Sequence, residues 1–108
     1  MFSFYNVCLF KRNKMKILLI LIATYYANSF QNKKTADGSI FKQTAYTAAT
    51  LSFPLGTFLK ITNLKDSTKT VCVKVTDKCK KRGIIDLSKI AYKNLNLKNY
   101  YKVKVEKI

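Results

Sequence analysis

The sequence predicts a mainly β domain, a small barrel closed on itself, with one short helix. Three observations carry this expectation. Apolar and polar residues alternate with period two over residues 57–63, 69–76 and 101–106, the pattern of a strand with one buried face. Turn residues punctuate the chain at Asp37-Gly38, at Phe53-Pro54-Leu55-Gly56 and at Gly83, which keeps the strands short. Strands alternating with long helices are absent from the pattern, so a doubly wound parallel sheet is disfavoured and a small closed barrel fits better. A chain of 108 residues holds one domain.

The N-terminus stands apart. Lys11-Arg12-Asn13-Lys14-Met15-Lys16 precede an apolar run over residues 17–23, the layout of an export signal with a basic region before a short apolar one. The run falls short of the roughly 20 apolar residues that span a bilayer. Met15 offers an alternative start, and a buried strand or helix is the alternative reading of the run itself. Ala27 suits the position before a cleavage site, although Tyr25 is not the small side chain expected two residues earlier. Cys8 lies ahead of the run, so lipid attachment has no residue to use. Residues 1–22 are therefore expected to be a signal-type segment and the sole membrane contact, and residues 23–108 the folded domain. A cut after Ala27 would delete Thr24 and Tyr25.

From residue 23 the elements follow in order. Thr24, Tyr25 and Tyr26 are β-formers, ended by a polar cluster that runs to Gly38. Over residues 57–63, Leu59 and Ile61 point one way and Phe58, Lys60 and Thr62 the other. Lys65-Asp66-Ser67-Thr68 reads as a polar hairpin loop. Over 69–76, Val71, Val73 and Val75 share a face opposite Cys72, Lys74 and Thr76. A basic loop after Asp77 runs to Gly83, and Ile84-Ile85 is a short buried piece. Ser88 suits the N-cap of a helix reaching Leu95, with Ile90, Ala91 and Leu95 turned inward. Tyr101, Val103 and Val105 then alternate with Lys102, Lys104 and Glu106 as a last strand.

Composition narrows the chemistry. Twenty-one basic against five acidic residues give a formal charge of +16, which holds the protein near polyanions without choosing among them. The charge reads as a solvated basic surface. The chain contains no histidine, which excludes Ser-His and Cys-His catalysis. Acid–base work at a carboxyl group falls to Asp37, Asp66, Asp77, Asp86 or Glu106. Three cysteines make a poor disulfide framework, so Cys72 reads as a small strand side chain rather than as half of a bridge to Cys79. A zinc site wants about four ligands of Cys or His type, which these thiols do not supply. No metal or cofactor is expected.

Several segments, taken in order, resemble the rare lipoprotein A (RlpA) family. These are Ala23-Thr24-Tyr25-Tyr26-Ala27, Lys34-Thr35-Ala36-Asp37-Gly38-Ser39-Ile40-Phe41 and Thr47-Ala48-Ala49-Thr50-Leu51-Ser52-Phe53-Pro54-Leu55-Gly56-Thr57. They continue with Thr62-Asn63-Leu64, Val73-Lys74-Val75-Thr76-Asp77, Ile84-Ile85-Asp86-Leu87-Ser88 and Val103-Lys104-Val105. The ordered set is also similar to the N-terminal domain of expansins. The resemblance implies a six-stranded double-psi β-barrel with a groove for a polysaccharide. It further implies an endolytic lytic transglycosylase that cuts peptidoglycan glycan without water, using one carboxyl group as acid and then base.

By that resemblance Asp77 stands at the family's catalytic aspartate and Asp86 at its Asp-Leu-Ser aspartate. Thr24 stands at a hydroxyl residue beside the pair, and Tyr25, Ser39 and Thr50 join Thr24 as expected substrate contacts. Ser39 replaces the family's glutamate and Thr50 its histidine, and the loop after Asp77 lacks the usual Arg-Gly-Pro. The plain alternatives are a turn aspartate at Asp77, a helix-start aspartate at Asp86 and an ordinary strand residue at Thr24. Two other function classes compete. One is a catalytically degenerate, expansin-like module that binds or loosens wall polysaccharide, with tyrosines such as Tyr25, Tyr26 and Tyr46 stacking on sugars. The other is a nucleic-acid binder, for which no zinc-finger, Gly-rich or RNP pattern is present. The expected partner is peptidoglycan or another wall polysaccharide and no specific nucleic acid, met by an exported monomer in the periplasm, envelope or medium.

Overall fold

The computed structural model describes residues 18–98 and 101–108. Six strands and one helix follow in chain order: β1 (Leu18–Tyr25), β2 (Thr47–Thr50), β3 (Phe58–Asn63), β4 (Asp66–Asp77), β5 (Ile84–Leu87), α1 (Lys89–Leu95) and β6 (Lys102–Lys107). The strands close into a barrel in the order β1-β5-β2-β4-β3-β6. Two of its pairings are parallel, β1 with β5 and β2 with β4, and the rest are antiparallel. Closure leaves no strand edge to template aggregation.

The valines and isoleucines read from period two fill the interior. Leu59, Ile61, Val71, Val73, Val75, Ile85, Leu87, Val103 and Val105 are all at most 1% exposed. The helix covers one end with Ala91 and Leu95, both fully buried, while Ile90 stays only partly covered. Ser88 occupies the N-cap position, but its hydroxyl makes no cap bond and is buried without a partner among the described residues. Asn63, buried at the end of β3, donates to the carbonyls of Leu95 (2.9 Å) and Asn96 (3.3 Å) at the helix C-terminus. These are carbonyls that a helix end leaves without intrahelical partners.

Three strand limits differ from the sequence expectation. The first strand opens at Leu18 instead of residue 23. Leu19, Leu21 and Ala23 turn toward the core while Leu18, Ile20 and Ile22 lie 45–49% exposed, so both faces are apolar and no alternation shows in the residue types. Strand β4 begins at Asp66, because β3 and β4 join through Leu64-Lys65 alone in a tight hairpin; the expected loop over 65–68 is mostly strand. Tyr101 precedes β6 and lies 47% exposed, so it does not join Val103 and Val105 inside. Cys79 is a free thiol, so a Cys72–Cys79 bridge does not form, but Cys72 is disulfide-bonded and is not the plain strand side chain expected. Among the described residues no helix is long and apolar enough to cross a membrane.

Candidate active site

The barrel register gathers the two aspartates around one small residue. On β5, Ile85 and Leu87 face the core, so Asp86 between them faces out. Its neighbours are Thr24 on β1 and Ala49 on β2. Ala49 is also the cross-strand partner of Asp77 on β4. Asp77 reaches this face through a bulge. Strict alternation would place Asp77 on the same side as Val71, Val73 and Val75, pointing into the core. Instead the register shifts between Ala48, which pairs with Val75, and Ala49, which pairs with Asp77. Thr76 is the extra residue, and the bulge re-aims the following side chain, as such irregularities do beside functional sites.

Three donors hold the Asp77 carboxylate. The Tyr26 phenol donates to Oδ2 at 3.2 Å, the Ala36 amide to Oδ1 at 3.1 Å, and the Lys78 amide to Oδ1 at 2.9 Å. Asp86 accepts the Thr24 hydroxyl at 3.0 Å. Burial raises the Asp86 pKa above the ordinary carboxylate value and the charge of Asp77 adds to it, while the Thr24 bond acts in the opposite sense. Burial, and then the charge of Asp77, push the Tyr26 phenol far above the ordinary tyrosine value, with further contributions from its hydrogen bond to Asp77, from Asp86 and from Cys79. Tyr26 therefore stays a protonated donor around neutral pH. Its ring stacks on Phe41 at 4.1 Å and packs with Ala49, with Cys79 against the same cluster.

The other expected contacts divide. Tyr25 is 52% exposed, its ring set edge-on to Tyr92 at 4.8 Å with the Lys89 ammonium 5.6 Å from its centroid. Ser39 sits on the exposed loop that reaches Asp77 through Ala36, but its hydroxyl and amide are spent on Asp37, at 2.5 and 2.9 Å. Those bonds, with that of Thr35, lower the Asp37 pKa. Thr50 departs from expectation: it is fully buried, and its hydroxyl accepts the Ser52 amide at 3.1 Å in the turn after β2. It presents no surface to a ligand. Tyr26 is the residue whose polar role the sequence reading missed. Period two places it on the same face as Thr24, and that rule was the available sign. No group of three or more Cys, Asp or Glu that would hold a metal occurs among the described residues.

A closed barrel with two carboxyl groups gathered around Ala49, one of them raised in pKa by burial, defines the class: a small closed β-barrel carrying a carboxyl pair on its outer face. The comparisons give the family. A family model described as lytic transglycolase matches residues 20–106, and the chain belongs to this double-psi β-barrel family. It is 43% identical over 79 residues to the probable endolytic peptidoglycan transglycosylase RlpA of Treponema pallidum, covering 71% of this chain and 24% of that protein. It is 37% identical over 78 residues to the endolytic peptidoglycan transglycosylase RlpA of Pasteurella multocida, covering 70% and 26%. The chain thus spans about a quarter of the length of these curated relatives.

Among solved structures, the barrel superimposes on Streptomyces papain inhibitor with a TM-score of 0.62 at 20% identity, covering 88% of this chain and 96% of that one. It superimposes on Clavibacter michiganensis expansin with a TM-score of 0.58 at 26% identity, covering 85% and 50%. The mainly β, six-stranded barrel with one helix read from the sequence is the observed fold.

Proposed function

We propose that this domain cuts the glycan strand of peptidoglycan outside the cytoplasm, as an endolytic lytic transglycosylase, with one carboxyl group of the Asp77–Asp86 pair serving as acid and then as base. The observation that carries the reading is the shared neighbour Ala49, which sets both carboxyl groups on one open face. One carboxyl must start protonated and the other groups must hold it in place. Burial disfavours the charge on Asp86 and the neighbouring Asp77 adds to this, and three donors hold the Asp77 carboxyl group in place. In the reaction the acid gives its proton to the glycosidic oxygen as the C1–O bond breaks. The resulting carboxylate takes the proton of the sugar's own C6 hydroxyl, whose oxygen closes onto C1 as an anhydro ring. The proton returns to the carboxyl group and no water is consumed.

Thr24 would orient Asp86, and Tyr25 would meet the sugar at the rim. A cut after Ala27 would remove β1 and open the barrel between β5 and β6, so we propose that the working domain keeps residues 18–25. The test is digestion of peptide-free glycan strands with detection of anhydro-sugar ends by mass spectrometry. Asp77→Asn and Asp86→Asn should each lower their yield by at least ~100-fold; full activity in either variant removes that aspartate from the mechanism.

A second reading, a non-catalytic wall-binding module, is favoured by Thr50 being buried and Ser39 being engaged with Asp37. Retention of the wild-type protein on purified wall with no anhydro ends released would select it.

A further inference from the structure

Beside Thr24 the surface is aromatic. Ile22, Ala23, Thr24, Tyr25, Tyr92 and Tyr101 line an open hollow of about 410 Å³. A second hollow adjoins it through Tyr25 and Tyr92 and adds Lys89 and Lys93. The helix explains the grouping. Lys89, Tyr92 and Lys93 are spaced i, i+3 and i+4, so they share one face of α1, and that face looks onto the end of β1. Tyr25 and Tyr101 are 52% and 47% exposed. The rings are mutually positioned: Tyr25 stands edge-on to Tyr92, and the Tyr92 hydroxyl feels those of both Tyr101 and Tyr25 in addition to its own burial.

Such a surface matches a pyranose ring. Its C–H faces pack on aromatic carbon. The occupant is set by continuity, because Thr24 lines the hollow and also bonds Asp86. A chain lying over the carboxyl pair therefore runs directly onto the tyrosines. The lysines set the charge. Among the described residues neither Lys89 nor Lys93 meets a carboxylate, and the whole chain holds only five acidic side chains. Lys89 is instead held over the Tyr25 ring, where its charge faces the hollow.

We infer that Tyr25, Tyr92 and Tyr101 form a subsite beside the aspartate pair for a carboxylate-bearing pyranose of the glycan, with Lys89 and Lys93 receiving the carboxylate. The inference rests on the glycan-directed reading above. It names three tyrosines and two lysines that no catalytic step requires, and the sugar chemistry they select.

Binding is measured by calorimetry on the Asp77→Asn background, using peptide-free glycan oligomers, the same oligomers with their carboxyl groups converted to amides, and a neutral chitin oligomer. Tyr92→Ala and Tyr101→Ala should each weaken binding about tenfold, whereas the phenylalanine variants, which keep the ring, should stay within about twofold. The parent should prefer the free carboxylate over the amide about fivefold, and Lys89→Gln with Lys93→Gln should erase that preference. Thermal melts establish that each variant is folded. Parent-like binding in folded Tyr92→Ala and Tyr101→Ala, or equal affinity for carboxylate and amide in the parent, overturns the subsite. Failure of the cleavage reading leaves a different trace: no anhydro ends from the wild type, with these binding differences intact.

Discussion

The phenol of Tyr26 donates a 3.2 Å hydrogen bond to Oδ2 of Asp77 while its ring lies stacked on Phe41 at 4.1 Å. A side chain anchored by its ring and pointing its one donor at a carboxylate is a positioning device. Tyr26→Phe keeps the stack and removes only the donor. The variant should lose about 1 kcal/mol of stability or less. Its kcat on glycan strands should fall about tenfold or more with KM within about twofold, since a misplaced reacting group costs rate more than binding. An unchanged kcat would reduce Tyr26 to packing.

Asp77 and Asp86 are coupled through space, and the coupling has a sign. The negative charge of Asp77 adds to the burial that raises Asp86. Carboxyl carbon NMR should therefore give Asp86 a midpoint above 3.8, and Asp77→Asn should bring that midpoint down. A midpoint that stays in the variant would show the two carboxyl groups to be independent, and one that rises would reverse the assigned sign.

The same shift makes a stability prediction. A carboxyl group whose pKa is raised on folding holds more protons folded than unfolded, so its contribution is full below the unfolded value and is lost as pH rises through the folded one. Asp86→Asn removes that loss and still accepts from Thr24. Because Asp86 is only about half buried, the gain is modest. Melting curves at neutral pH should show a Tm higher by about 2–4 °C, the effect of ~0.5 kcal/mol in a domain of this size. The difference should vanish below pH 3.8. A lower Tm in the variant at neutral pH contradicts the assigned environment.

Asn63 ties the barrel to its helix. Asn63→Ala strips the Leu95 and Asn96 carbonyls of their donor and leaves the Lys65 amide without the Asn63 acceptor at 2.8 Å. The expected cost is about 1–3 kcal/mol, seen as a drop in Tm of about 10 °C. A shift under about 2 °C would mean that water replaces these bonds freely.

Strand β1 closes the barrel against β5 and β6. A shortened chain starting at Asn28 should give no cooperative melt, because it exposes the partner edges of both strands and loses Leu21 and Ala23 from the core. A sharp transition in that chain would place β1 outside the folding unit.

Much of this architecture is written locally. Val71, Val73 and Val75 alternate, as do Leu59 with Ile61 and Val103 with Val105, and burial follows the alternation because a strand's side chains point to opposite faces in turn. The helix after Ser88 and the turns at Gly38, Gly56 and Gly83 are local as well; all three glycines have positive φ, a conformation that side-chain-bearing residues adopt at a cost. Strand β1 was harder to see because Leu18, Ile20 and Ile22 keep apolar residues on the outward face, which erases the alternation that marks a strand.

The site is a different matter. Residue types and order pointed to the family and singled out Asp77 and Asp86 as candidates, because chemistry at a carboxyl group needs a carboxyl group and the chain offers only five. Which way Asp77 points depended on the Thr76 bulge, since one extra residue turns every following side chain to the other face. Its pairing with Asp86 across Ala49, and the donor from Tyr26, depended on the order in which strands close. The burial of Thr50 depended on the same closure. Patterns along a chain record which groups are present and which face each takes within its own strand. Contacts between strands distant in sequence arise only when the barrel closes, and those contacts set the pKa of Asp86 and the direction of Asp77.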